Sequence, residues 1–452
     1  MQDKPAVEAK APTSVPARAA QAGENPAQLE RRSRWSWIED SIWTDRMLAA
    51  LEAGVKGGVW FCLIDKVFSP GNLWSSWAKT ARNKGAAGID GISIERYEKD
   101  VEANLAWLSE QLRLDTYQPK PIRRTYIPKA DGARRPLGIP TVRDRIVQGA
   151  IRHVIEPIFE KEFAAQSYGF RPGKGCKDAL RRVDHLLKSG YRFVVDADLK
   201  SYFDTIPHDL LMKQVRTRVA DGRVLKLIES FLKANIMEGL DQWTPMAGAP
   251  QGAVLSPLLS NIYLNPLDHL MVQQGCEMVR YADDFVILCR TKQQAESALE
   301  RVKHWTAQAG LTLHPDKTRL IDAANDAFEF LGYRFDKGRR WVRHKSIMKL
   351  RDTIRSRTRR SSGVSLRVTI QRINPVLRGW FNYFQHASGG LHTLDSWIRQ
   401  RLRTILRQQN KLYGRSGPLD WKRWPNAFFA RLGLFELERA HQLARQSMKM
   451  AH

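Results

Sequence analysis

Met278-Val279-Arg280-Tyr281-Ala282-Asp283-Asp284-Phe285-Val286-Ile287-Leu288 is the stretch on which the reading of the fold turns. Apolar residues run into two adjacent carboxylates and out again. This reads as strand, tight turn, strand, with the acids at the tip. Adjacent Asp residues also suit an ordinary exposed turn, because Asp forms local backbone hydrogen bonds there. A second stretch decides between the two. Tyr191-Arg192-Phe193-Val194-Val195-Asp196-Ala197-Asp198-Leu199-Lys200-Ser201-Tyr202-Phe203-Asp204 has the same form, an apolar strand ending in acids. If the two strands pair, Asp198 meets Asp283 or Asp284. Alternation puts Asp196 on the face of Asp198, so spacing alone leaves Asp196 a candidate ligand as well. Clustered like charges disfavour joint ionisation. Such a cluster calls for cations, and all-oxygen ligands favour a hard ion such as Mg²⁺. Two such ions a few ångströms apart serve in-line phosphoryl transfer.

The composition agrees. The 452 residues suffice for two or three domains, and 73 Lys and Arg against 47 Asp and Glu give a formal charge of +26. That excess points to a polyanionic partner, nucleic acid first. No apolar run of about 18 residues is present, so no membrane span is expected. Cys62, Cys176, Cys276 and Cys289 form no CxxC pair and read as reduced core thiols of a cytosolic protein. The amino terminus has no apolar signal region, and its Asp3, Glu8 and Glu24 argue against a transit peptide.

Residues 1–34 are rich in Ala and Pro and are expected to be a disordered tail. Helical patterns begin near Trp35, with Ser69 or Asn72 as candidate caps. Lys84-Gly85-Ala86-Ala87-Gly88-Ile89-Asp90-Gly91 is a glycine-rich turn without the Gly-Lys-Ser/Thr ending of a phosphate loop. An amphipathic helix is expected over about 93–113. Two short strands flank Ala130-Asp131-Gly132-Ala133, a hairpin with Lys129 and Arg135 near its tip. Basic residues there suit a triphosphate beside a metal-carboxylate site. Beyond about residue 345 the pattern is helical and basic. Arg357, Arg359, Arg360, Arg367, Arg372, Arg378, Arg399, Arg401 and Arg403 alternate with Trp380, Phe381, Tyr383, Phe384 and Trp397. Arginines can bind phosphate and aromatic faces can stack bases, although a helical bundle with an aromatic core gives the same pattern.

The ordered set of motifs resembles the reverse transcriptases encoded by group II introns, which double as splicing maturases. Lys84–Gly91 resembles their amino-terminal extension. Ile127-Pro128-Lys129 through Ile139-Pro140 and Tyr168-Gly169-Phe170-Arg171-Pro172 resemble their fingers motifs. Val195–Phe203, Pro250-Gln251-Gly252, Tyr281–Asp284, His314-Pro315-Asp316-Lys317-Thr318 and Phe330-Leu331-Gly332-Tyr333 resemble their palm motifs. Arg372–Phe384 resembles the maturase, or thumb, region. The resemblance covers roughly residues 40–440. It implies an α+β right-hand polymerase, with fingers and palm of antiparallel sheet and helices, followed by an α-helical thumb. The expected divisions are a tail over 1–34, an extension over 35–100, fingers and palm over 101–340, and a helical RNA-binding domain over 341–452. Because no cysteine pairs follow the thumb, the expected type lacks the family's nuclease domain.

The resemblance also implies roles. Asp198 and Asp283 would hold two Mg²⁺ ions, with Asp284 supporting or ligating, and Mn²⁺ able to take the same place. Lys317 would protonate the pyrophosphate leaving group. Lys129, Arg135 and Gln251 would hold the incoming dNTP. Phe203 would act as a steric gate against a ribose 2′-hydroxyl, Tyr202 being placed on the other face if the strand continues. Tyr281 would pack under the primer end. The implied partners are intron RNA, an RNA template, a DNA primer or target, and dNTPs, in a bacterial cytoplasm. The expected function is RNA-directed DNA synthesis with assistance to splicing. A domesticated reverse transcriptase of DNA repair or phage defence, or a splicing cofactor with little polymerase activity, are the competing readings.

Overall fold

The computed structural model describes residues 26–128, 134–359, 363–412 and 417–450. Its centre is a four-stranded antiparallel sheet in the spatial order Glu277–Tyr281, Asp284–Cys289, Phe193–Asp198, Arg319–Asp322. The two acid-tipped strands are neighbours in it, so the condition set by the sequence reading is met. Their apolar runs are continuous because the sheet is covered on both sides. Val195, Ala197, Phe285 and Ile287 enter the large core shared with the amino-terminal helices. Val194, Val286 and Leu288 enter a second core against helix Cys176–Lys188. Alternation thus sends successive residues into different cores, and a one-residue slip would exchange them.

The fingers form a sheet ordered Arg134–Ile139, Ile122–Pro128, Ile236–Glu238, Asp241–Trp243. Pro128 opposes Arg134 in an antiparallel ladder, so the expected hairpin is present, while its tip, residues 129–133, lies outside the described residues. A buried helix, Val142–Glu160, ties the fingers to the extension. Thr141 caps it, its hydroxyl accepting from the Asp144 N–H at 3.1 Å. Helix Pro70–Arg82 packs across it at Gly149, where the Ser76 hydroxyl donates to the Ile146 carbonyl at 2.7 Å. A Cβ at Gly149 would stand 2.2 Å from that hydroxyl oxygen, so glycine permits the approach. Of the two candidate caps Ser69 is the one used, accepting from Asn72 N–H.

Three expectations are corrected. Pro26–Arg34 is a helix, so the tail expected over 1–34 does not extend through its last nine residues; Arg31 and Arg34 pair with Glu52, and Arg32 with Asp40 and Asp45. Those partners lie beyond the Ala- and Pro-rich stretch, which is why its composition concealed them. The helix expected over 93–113 is two, Ile94–Glu98 and Val101–Arg113. Cys62 is exposed rather than a core thiol.

The carboxy-terminal part is helical, comprising His344–Arg357, Leu366–Phe384, Leu391–Gln409, Pro418–Arg423, Asn426–Arg431 and Leu437–Met450. It has its own core of residues such as Ile373, Leu377, Ile398 and Leu402. Phe384 instead enters the palm core beside Tyr333, on a small sheet formed by Phe328–Phe330, Tyr333–Asp336 and Arg339–Val342. Among the described residues no helix is long and apolar enough to cross a membrane.

Candidate active site

Asp198 stands directly opposite Asp284 in the register of the central sheet, and Tyr281 opposes Asp284 on the other side. The turn between is Ala282-Asp283, with Ala282 in the left-handed region at φ +59°. Three acids therefore lie together at one end of the sheet. Burial, and then the charges of Asp196, Asp283 and Asp198, push the Asp284 carboxyl up to about 7. Asp283 is also raised, by burial and by Asp198. Two cations already answer this charge. Lys317 Nζ donates to Asp198 Oδ2 at 2.5 Å, and Arg319 pairs with Asp196 at 3.3 Å. Asp196 is thus engaged by an arginine, and burial first of all raises its carboxyl.

This donor set suits a hard divalent ion. It is oxygen only, and its members disfavour one another's ionisation. Among the described residues no group of three or more acidic, histidine or cysteine side chains stands ready-made to hold a metal ion. Mg²⁺ is commonly held by one or two carboxylates, with water and substrate phosphate completing the shell, so an open set fits.

Beside the acids lies the Pro250-Gln251-Gly252 loop. Arg135 Nε donates to Gln251 Oε1 at 2.7 Å, and Gly138 N–H donates to the Gln251 carbonyl at 2.7 Å, so the fingers strand and this loop meet. Gly252 has φ +107°, and a Cβ there would stand 2.5 Å from the Gly138 carbonyl oxygen. Phe203 is buried, and its carbonyl accepts from Ala249 N–H at 2.7 Å, beside the same loop. Strand alternation does not separate it from Tyr202, because Tyr202–Thr205 is a helical turn that follows the left-handed Ser201. Tyr202 is removed from the site by burial instead, its hydroxyl donating to the Ser260 carbonyl at 2.7 Å. Lys129 lies outside the described residues.

The support of the acidic turn was not foreseen. Arg280 and Asp268 are both fully buried and paired. Arg280 also donates to Asn261 Oδ1 at 3.0 Å, the Ala282 carbonyl at 2.9 Å and Ser167 Oγ at 2.8 Å. Ser167 bridges alongside Arg280, and Tyr168 N–H donates to its carbonyl at 2.8 Å. Gly169 then lies against the turn itself, where a Cβ would come within 2.2 Å of Ala282 N. The Tyr168-Gly169-Phe170 motif is therefore a buttress of the acid-bearing hairpin. The available signal was an arginine inside an otherwise apolar strand.

In the helical region the basic and aromatic residues divide. Arg367, Arg372 and Arg378 are exposed, whereas Phe381 and Phe384 are core residues and offer no stacking face. Arg403 is buried and donates to the Trp424 carbonyl at 3.0 Å, so it holds the fold. Arg351, Arg355 and Arg401 surround the Trp397 ring, each within 6 Å of its centroid. Arg360 lies outside the described residues.

Residues 127–335 match the family model of the reverse transcriptase (RNA-dependent DNA polymerase), and residues 347–424 that of the group II intron maturase-specific domain. The chain is 38% identical over 302 residues to Protein YkfC of Escherichia coli, covering 58% of this chain and 79% of that protein. It is 37% identical over 257 residues to the group II intron-encoded protein LtrA of Lactococcus lactis, covering 53% of this chain and 41% of LtrA. To an uncharacterized 91 kDa protein in the cob intron of Schizosaccharomyces pombe it is 27% identical over 397 residues, covering 69% of this chain and 48% of that one. The palm motifs and the helical region that follows them fall in the two matched segments in that order, and the chain belongs to the family of group II intron reverse transcriptases and maturases.

Proposed function

We propose that this chain copies RNA into DNA at Asp198, Asp283 and Asp284, and that its helical region binds intron RNA so as to assist splicing. The observation that carries the first part is the register that sets Asp198 against Asp284 beneath the Asp283 turn. Bound Mg²⁺ would supply the electrostatic stabilisation of charge developing on phosphorus. Asp198 and Asp283 would hold it, with Asp284 supporting. Lys317, already on Asp198, is the proton donor for the departing pyrophosphate. Arg135 and Gln251 form a polar edge for the incoming nucleotide; Lys129, outside the described residues, is assigned to the same role by the resemblance alone. Phe203, against the same loop, is the gate that selects deoxyribose. RNA binding is supported by the charge of +26 and by the exposed arginines of the thumb.

Primer extension on an RNA template with Mg²⁺ and dNTPs, beside Asp283→Ala, tests the reading. Synthesis by the parent and none by the variant is expected. Loss of one ligand should cost at least about 4 kcal/mol of barrier, roughly a thousandfold in rate. A variant that kept most of its activity would remove the site. Silence from both proteins, with tight binding to structured RNA, would leave a splicing cofactor.

A further inference from the structure

Away from the carboxylates, a cavity of about 440 Å³ opens where strand Arg339–Val342, the segment after helix Leu366–Phe384, and helix Leu437–Met450 meet. Arg339, Arg340, Arg445, His386 and His441 line it, with Ser388, and no carboxylate does. The walls are set without any ligand. Ser388 N–H donates to the Arg340 carbonyl at 2.6 Å, and Arg340 N–H donates to Ser388 Oγ at 3.0 Å, so the thumb segment is stitched to the strand edge. His441 is buried.

The charge in this cavity is unbalanced. Asp184 approaches Arg340 only at 3.7 Å, and among the described residues Arg339 and Arg445 have no carboxylate partner. Burial and the positive charges of Arg340, Lys177, Arg181 and His441 push the His386 imidazole down to about 4. A protein that pairs many of its other arginines lines this one hollow with three, two of them without a carboxylate partner among the described residues. Guanidinium forks match phosphate oxygens bidentately and are less strongly hydrated than ammonium, so they suit phosphate here. The hollow opens to solvent, which lets a phosphate that is part of a longer strand enter while the strand continues outside.

We propose that this pocket is a second anion site, which takes a backbone phosphate of a bound RNA strand and clamps that strand across the joint between palm and thumb. The ligand is recognised as phosphate, so the contact carries no sequence preference. Arg339 and Arg340 lie on the palm hairpin and Arg445 on the last helix, which places an RNA contact on the hairpin as well as on the helices. The proposal does not require the polymerase to be active, because its test reads binding alone.

The test titrates the full chain with a fluorescein-labelled structured RNA at several KCl concentrations, following anisotropy. Parent, Arg339→Gln/Arg445→Gln and Arg339→Lys/Arg445→Lys are compared. Both arginines have exposed side chains, so both variants should fold, and each is checked by its melting temperature. The Gln pair is expected to weaken binding and to lower the slope of log K against log salt by between about 1 and 2, while the Lys pair keeps the slope. An unchanged slope in the Gln pair overturns the proposal. So does the finding that inorganic phosphate stabilises the parent but not the Gln pair while the RNA slope stays constant, since the pocket would then take a free phosphate compound only.

Discussion

Asp268→Asn should destabilise the protein far more than its distance from any phosphate chemistry suggests. Asp268 and Arg280 have no exposed side-chain surface, and among the described residues the carboxylate is the only anion bonded to the guanidinium. Every other Arg280 bond goes to a neutral oxygen, on Asn261, Ser167 or Ala282. Asparagine keeps the shape and removes the charge, which leaves a buried cation with no bonded anion, Asp283 acting on it only through space. Breaking such a pair typically costs about 3–5 kcal/mol. Urea unfolding at neutral pH measures it directly. Replacing both partners by apolar residues, Arg280→Met with Asp268→Leu, should recover most of that loss, because the desolvation of both charges disappears with them. Synthesis should not recover, since the bond that holds the Ala282 carbonyl at φ +59° is gone. A loss below about 1 kcal/mol for Asp268→Asn, or a paired variant with parental primer extension, would refute the buttress reasoning.

Other consequences are smaller in scope. Gly169→Ala should reduce DNA synthesis at least tenfold while RNA binding stays near parental, because its Cβ cannot fit beside Ala282 N; equal activity in primer extension would show that the turn is free to move. Phe203→Ala should admit ribonucleotides, and steady-state incorporation of both sugars would reveal unchanged discrimination if the gate is elsewhere. The Asp284 carboxyl, ordinarily near 3.8 and raised to about 7, binds its proton more tightly when folded. Its contribution is therefore fully present below pH about 4 and lost as pH rises through about 7, by up to about 4 kcal/mol in chelator. Urea midpoints should fall over that window, and Asp284→Asn should flatten this part of the fall; the same slope in both proteins would assign the titration to other groups.

Some of this was legible and some was not, for physical reasons. The acid-tipped strands could be read because alternation and a tight turn leave a local signature, and their pairing followed from a shared requirement for burial. Helix Pro26–Arg34 could not be read, because its stability comes from Glu52, Asp40 and Asp45, which lie outside the local composition. Strand alternation was the wrong ground for setting Tyr202 aside, because the strand ends at Asp198 and the left-handed Ser201, at φ +50°, opens a helical turn. The thumb pattern mixed two kinds of residue with one period. Phe381 and Phe384 serve cores, Arg403 serves the fold, and Arg367 and Arg372 face solvent.

The buttress shows why the Tyr168-Gly169 motif and the acidic hairpin occur together although neither needs the other for its own secondary structure. A non-glycine residue held at positive φ is strained by about 1–3 kcal/mol and persists only when its surroundings over-determine it. Here three contacts do so: the Arg280 bond to the Ala282 carbonyl, the Ser167 bridge and the Gly169 backbone. The same turn must hold Asp283 and Asp284 against the burial, and then the mutual repulsion, that raise both carboxyls. A flexible turn would relax by moving the acids apart and so lose the close placement that the proposed divalent ion would require. Rigidity at Ala282 is therefore the condition for charge density at the acids, and the buried Arg280–Asp268 pair is retained for placement even where an apolar pair would serve stability as well.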